Sequence, residues 1–108
     1  MYKIFIENLE IEAVMGILDF ERKNPQKVTV NAQIDYIYRE NYLDYREIAD
    51  FISKKIITKK YNLIEDALND IVSSLKDSFP PIKSIKVKIN KPHILRNCNV
   101  GVEIQKNY

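Results

Sequence analysis

The chain reads as an α+β domain, an antiparallel sheet with two helices on one face, in the order β-β-α-α-β-β. Three observations predict this. Several segments alternate apolar and polar residues with period two, two others repeat apolar residues with helical period, and paired strands flank paired helices. Strands alternating singly with helices would point instead to a parallel sheet.

The elements follow in order. Residues 2–15 read as a strand bent near Asn8. Residues 16–26 hold Gly16 and Asn24-Pro25 and read as a loop. The clearest strand spans about residues 27–38: Val28, Val30, Ala32, Ile34, Tyr36 and Tyr38 alternate with Lys27, Thr29, Asn31, Gln33 and Asp35. The first helix has Asp44 as N-cap with Glu47 at capping-box spacing, and the stripe Ile48, Phe51, Ile52, Ile56. The second has Asn62 as N-cap with Glu65 three residues on, and the stripe Ile64, Ala67, Leu68, Ile71, Val72, Leu75. Pro80-Pro81 closes that region. The last strands are 82–90, with Ile85, Val87 and Ile89 on one face, and 98–106, with Cys98, Val100, Val102 and Ile104 on one face.

With both helices on the apolar face, the polar face is bare and the sheet keeps two edges. Edges must be covered, charged or paired. The 27–38 strand is long and carries few blocking devices, which predicts pairing between subunits and a closed barrel with a wet lumen.

The 108 residues suit one domain, 1–108, small enough to gain from association. A net charge of +2, evenly spread, gives no footprint for nucleic acid. No apolar run approaches the roughly 20 residues of a membrane span, and Glu7, Glu10 and Glu12 break up the N-terminus as a signal peptide. A single cysteine, Cys98, rules out an intrachain disulfide and suits a reducing compartment, the cytoplasm. One cysteine and one histidine, His93, are too few for a structural zinc site.

No glycine-rich phosphate loop, serine elbow or metal motif is present, so chemistry falls to Lys, Tyr, Glu and water. Lys91 stands at a strand end that Pro92 terminates, a place where rigid scaffolds build sites. In a chain with 17 Lys and Arg, position alone says little. Tyr45 and Glu65 open the two helices, beside free N–H groups. Tyr45 is equally explained as an aromatic packed under a loop, and Glu65 as the third residue of a capping box. Glu21, in the loop after Gly16, has the profile of a solvated loop charge, like Asp19, Arg22 and Lys23. His93 reads as a surface residue and Cys98 as a small buried hydrophobe.

These residues together resemble the dihydroneopterin aldolases. Gly16-Ile17-Leu18-Asp19-Phe20-Glu21 with Gln26-Lys27-Val28 looks like their first-strand and loop signature. Tyr45, in Leu43-Asp44-Tyr45-Arg46-Glu47-Ile48, matches their helix-one tyrosine. Asn62-Leu63-Ile64-Glu65 matches their pterin-anchoring Leu-Glu pair, with Ile64 for the usual Leu or Val. Asn90-Lys91-Pro92 matches their lysine before proline, and Asn99-Val100-Gly101-Val102-Glu103-Ile104 their closing strand. The matches run in the family's order along the chain. Two features depart from the pattern: the loop His93-Ile94-Leu95-Arg96, and Val14-Met15 where some relatives carry Tyr-His.

The resemblance implies a ββααββ tunnelling fold. Four subunits would close one barrel, two rings would stack into an octamer, and sites would lie between neighbouring subunits. It implies retro-aldol cleavage of 7,8-dihydroneopterin, a pterin, to 6-hydroxymethyl-7,8-dihydropterin and glycolaldehyde in folate biosynthesis, with no metal or separate cofactor. Lys91, Tyr45 and Glu21 would be catalytic. Glu65, the backbone at Ile64, and Gln26 would bind substrate. Two alternatives stay open: a 2′-epimerase of dihydroneopterin or its triphosphate, which should offer extra cations near the substrate tail, with Arg96 and Lys23 as candidates but no cluster evident, and a non-catalytic pterin-binding subunit.

Overall fold

The computed structural model describes residues 1–39 and 42–108. Strand β1 (Tyr2–Ala13) leads through a short helix α1 (Asp19–Lys23) into β2 (Gln26–Tyr36). Helices α2 (Tyr45–Lys59) and α3 (Ile64–Ser78) follow, then β3 (Ile82–Lys91) and β4 (Val100–Asn107). The strands form one antiparallel sheet in the order β1-β2-β3-β4.

Period-two alternation decides which face is buried. The register aligns Leu9, Val30, Ile89 and Val102 in one row across all four strands, and Val30 and Ile89 at its centre are fully buried. α2 packs over β1, and α3 over β3 and β4. Their stripes close the core through Ile48, Ile52 and Ile56 and through Ala67, Leu68, Ile71 and Leu75. Each of these Ile and Leu side chains contributes about 2 kcal/mol by leaving water.

The bend expected near Asn8 is a β-bulge. The β1–β2 register shifts between Ile6 and Leu9, Asn8 takes a left-handed φ of 57°, and its N–H bonds Asn31 Oδ1 at 2.9 Å.

The structure corrects several sequence readings. The long strand β2 is interior, so the free edges belong to β1 and β4. Tyr38 lies beyond β2 and is exposed. The 16–26 loop contains α1, too short for periodicity to reveal. Asp44 does cap α2, accepting from the Arg46 N–H at 2.9 Å. Asn62 does not cap α3: the cap position is Leu63, with no side-chain hydrogen bond, so Glu65 is the second helical residue and the capping-box account of it fails. Phe51 is only partly buried. Cys98 precedes β4 and is exposed, because the strand pairing starts at Val100 opposite Lys91.

Candidate active site

Alternation in β3 puts Ile85, Val87 and Ile89 on the helix-facing side, and Lys91 continues that row. In β2 the same parity places Gln26 at the end of the row Val28, Val30, Ala32. The two polar side chains therefore end adjacent core-facing rows at one end of the sheet. Lys91 is only 8 % exposed.

A buried ammonium needs a partner. Glu21 supplies it from α1, with Oε2 2.8 Å from Lys91 Nζ. Gln26 Nε2 donates to the same oxygen at 2.9 Å and to the Met15 carbonyl at 2.8 Å. The Leu18 N–H donates to Glu21 Oε1 at 3.3 Å, folding the glutamate back over its own helix. Glu21 is 3 % exposed, so the expectation of a solvated loop charge is wrong. Burial works against its ionisation more than any other single influence. The hydrogen bonds from Lys91, Gln26 and Leu18, with the Lys91 charge, together outweigh it and hold the carboxyl below the usual glutamate range.

Gly16 makes room for this geometry, and Gly101 admits a close approach of its own. Gly16 has φ 133°, and a Cβ there would fall inside the Glu21 carboxylate. Gly101 pairs with Asn90, and a Cβ there would overlap Asn90 Oδ1, so the Asn90 carboxamide lies over β4 on the sheet face opposite Lys91.

The remaining candidates stand apart. Tyr45 is the first residue of α2 and 63 % exposed, not packed under a loop. Glu65 is exposed in the first turn of α3, with no hydrogen-bond partner among the described residues. Ile64 beside it is buried. His93, Arg96 and Lys23 are exposed. One chain thus assembles Lys91, Glu21 and Gln26 and leaves Tyr45 and Glu65 open to solvent.

Sequence reasoning missed Gly16 and the main-chain carbonyl of Met15 as parts of this centre. It also missed a signal for Lys91 that was present, a cation at a core-parity position of a strand.

The family model for FolB, dihydroneopterin aldolase, matches residues 4–105. The chain belongs to the dihydroneopterin aldolase family. A dihydroneopterin aldolase of Haemophilus influenzae is 27% identical to it, over 96% of this chain and 95% of the relative. A dihydroneopterin triphosphate 2′-epimerase of Pseudomonas aeruginosa is also 27% identical, over 89% of this chain and 84% of that protein. The crystal structure of Escherichia coli dihydroneopterin aldolase in complex with neopterin superposes with a TM-score of 0.89 at 24% identity, covering 99% of this chain and 100% of that one. That likeness establishes the fold: the sheet and paired helices are those of a dihydroneopterin aldolase. No helix of the described residues is long and apolar enough to cross a membrane.

Proposed function

We propose that this member of the family cleaves 7,8-dihydroneopterin by a retro-aldol reaction to 6-hydroxymethyl-7,8-dihydropterin and glycolaldehyde. The observation that carries the reading is the buried Lys91–Glu21–Gln26 cluster, a proton-transfer centre on rigid strand ends. Glu65 binds the pterin, its carboxylate accepting two N–H bonds from the amino-pyrimidine edge in a charge-assisted pair. The backbone at Ile64 completes that edge. Lys91 passes one ammonium proton to the Glu21 carboxylate 2.8 Å away and, as the free amine, takes the proton of the 2′-hydroxyl through a water; the bond between carbons 1′ and 2′ breaks, and its electron pair passes into the dihydropterin ring. The ring serves as electron sink, so no Schiff base forms. Glu21 and Gln26 orient the Lys91 side chain and the water. Tyr45 stacks on the ring and relays a proton to the product carbon.

The exposure of Tyr45 and Glu65 in one chain supports sites shared between subunits. We place four chains in a ring closed edge to edge by β1 and β4, with two rings in an octamer. The single, free Cys98 suits the cytoplasm.

Incubation with 7,8-dihydroneopterin and identification of products tests the reading. Hydroxymethyldihydropterin with glycolaldehyde supports it, and absence of turnover with retained pterin binding leaves a binding subunit. The Pseudomonas relative favours one second reading, epimerisation at carbon 2′. Re-addition of glycolaldehyde before release would accomplish it with the same groups, and a 2′ epimer as sole product would select it.

A further inference from the structure

Tyr61 lies in the α2–α3 connection and is held from two sides. Its phenol donates to Asp70 Oδ2 in α3. Asp70 also accepts from Ser74 Oγ at 3.2 Å and lies 3.4 Å from Lys55 Nζ of α2. The Tyr61 hydrogen bond is the main reason the Asp70 carboxyl sits below the usual range, and burial followed by that same bond pushes the phenol above its ordinary value. The Tyr61 ring packs against the core.

The main-chain carbonyl of Tyr61 points the other way. It accepts from the Gly16 N–H at 3.1 Å and from the Arg22 guanidinium at 3.3 Å, and Arg22 also donates to the Gly16 carbonyl at 3.1 Å. Gly16 is the residue whose missing side chain makes room for Glu21, and Arg22 is the next residue of α1. One peptide carbonyl thus ties the turn that cradles Glu21 to the entry of α3, four residues before Glu65. The preceding residue, Lys60, is in the left-handed region at φ 49°, a conformation that a non-glycine residue keeps where surrounding contacts enforce it.

We propose that Tyr61, with Arg22, is a positioning residue that sets the distance and angle between the pterin anchor Glu65 and the Lys91–Glu21 centre. This rests on the function proposed above. Anchor and centre stand on different elements, α3 and the sheet end, and a misplacement of about 1 Å between reacting groups costs up to a hundredfold in rate. Tyr61 touches neither substrate nor reacting atoms. It acts through Gly16 and α3.

The test uses Tyr61→Phe, which keeps ring and carbonyl, and Arg22→Gln, which changes an exposed side chain and spares the core. Each is expected to lower kcat by about tenfold while pterin affinity stays within about twofold, since the anchor itself is intact. Arg22→Lys should recover part of the loss. Amide hydrogen exchange at residues 15–22 should quicken in both variants. An active wild type with unchanged kcat in both variants, or a common fall in kcat and pterin affinity, overturns the proposal and leaves the proposed function standing. An inactive wild type overturns the proposed function. The exchange rates then decide whether Tyr61 holds the Glu21 turn at all, and unchanged exchange rejects the strut.

Discussion

Lys91 and Glu21 are 70 residues apart in the chain, and their side chains meet at 2.8 Å in the core-facing end of the sheet. The pair is buried on both sides, with side-chain exposures of 11% and 4%. Breaking such a pair leaves an uncompensated charge, which costs more than the pair itself contributes. Lys91→Ala is therefore expected to lower unfolding free energy by about 3 kcal/mol, and Lys91→Ala with Glu21→Gln to recover part of it. Both proteins should still bind pterin while cleavage falls by orders of magnitude. Urea unfolding and single-turnover kinetics separate the two effects. Equal stability of the single and double variants would count against a buried pair.

Glu21 also predicts a pH dependence. Its carboxyl titrates below the ordinary value of 4.5 in the folded chain. A depressed folded value means that the carboxylate contributes stability above the unfolded pKa and loses it as pH falls through the folded one. The stability gap between the native protein and Glu21→Gln should be constant above about pH 5 and shrink below about pH 4. Unfolding free energies measured across that window check it. A gap that widened on acidification would reverse the sign of the argument.

Gly16→Ala should be among the most damaging small substitutions. It places a Cβ within the Glu21 carboxylate, at a φ of 133° that L residues rarely adopt. The strain alone costs about 1–3 kcal/mol, and displacement of Glu21 unpairs Lys91. Thermal unfolding should shift down by several degrees with a parallel loss of turnover. A variant as stable and active as the parent would mean that the Glu21 cradle tolerates a side chain.

Glu65→Ala separates two roles. Because Leu63, not Asn62, holds the cap position, Glu65 closes no capping box, and its removal should cost less than about 1 kcal/mol of stability through the helix dipole alone. Pterin affinity should fall by at least about a hundredfold, the worth of two charge-assisted hydrogen bonds. Titration calorimetry with neopterin measures the second quantity and denaturant unfolding the first.

The main strands and helices were legible because burial on one face writes a period of two or 3.6 into Val28–Tyr36 and Ile64–Leu75. Strand order was less so. The β2 segment looked like an edge because its polar alternation is that of any one-sided strand, and which strand lies inside depends on how two hairpins meet across both helices. The helix α1 escaped because five residues carry no periodicity. Glu21 reads as a loop charge until the tertiary fold brings Lys91 and Gln26 to it. Lys91 stands out in the sequence by its place before Pro92, and its core parity in β3 is a second signal that a strand ended at residue 90 hides.

Tyr45 tests the assembly. It is well exposed at the first turn of α2 and makes no hydrogen bond to Lys91, Glu21 or Gln26. In the shared-site arrangement proposed above, it reaches the pterin held by a neighbouring copy. A Tyr45→Ala chain and a Lys91→Ala chain should each be nearly inactive alone. When they are unfolded together and reassembled, some sites receive the intact tyrosine from one chain and the intact lysine from the other. Activity should return to about a quarter of the native level for equal mixing with random pairing of neighbours in closed rings. Mixing without reassembly should restore nothing. If co-refolded oligomers of confirmed mixed composition stay inactive, both residues serve the same chain's site and the shared-site arrangement is rejected.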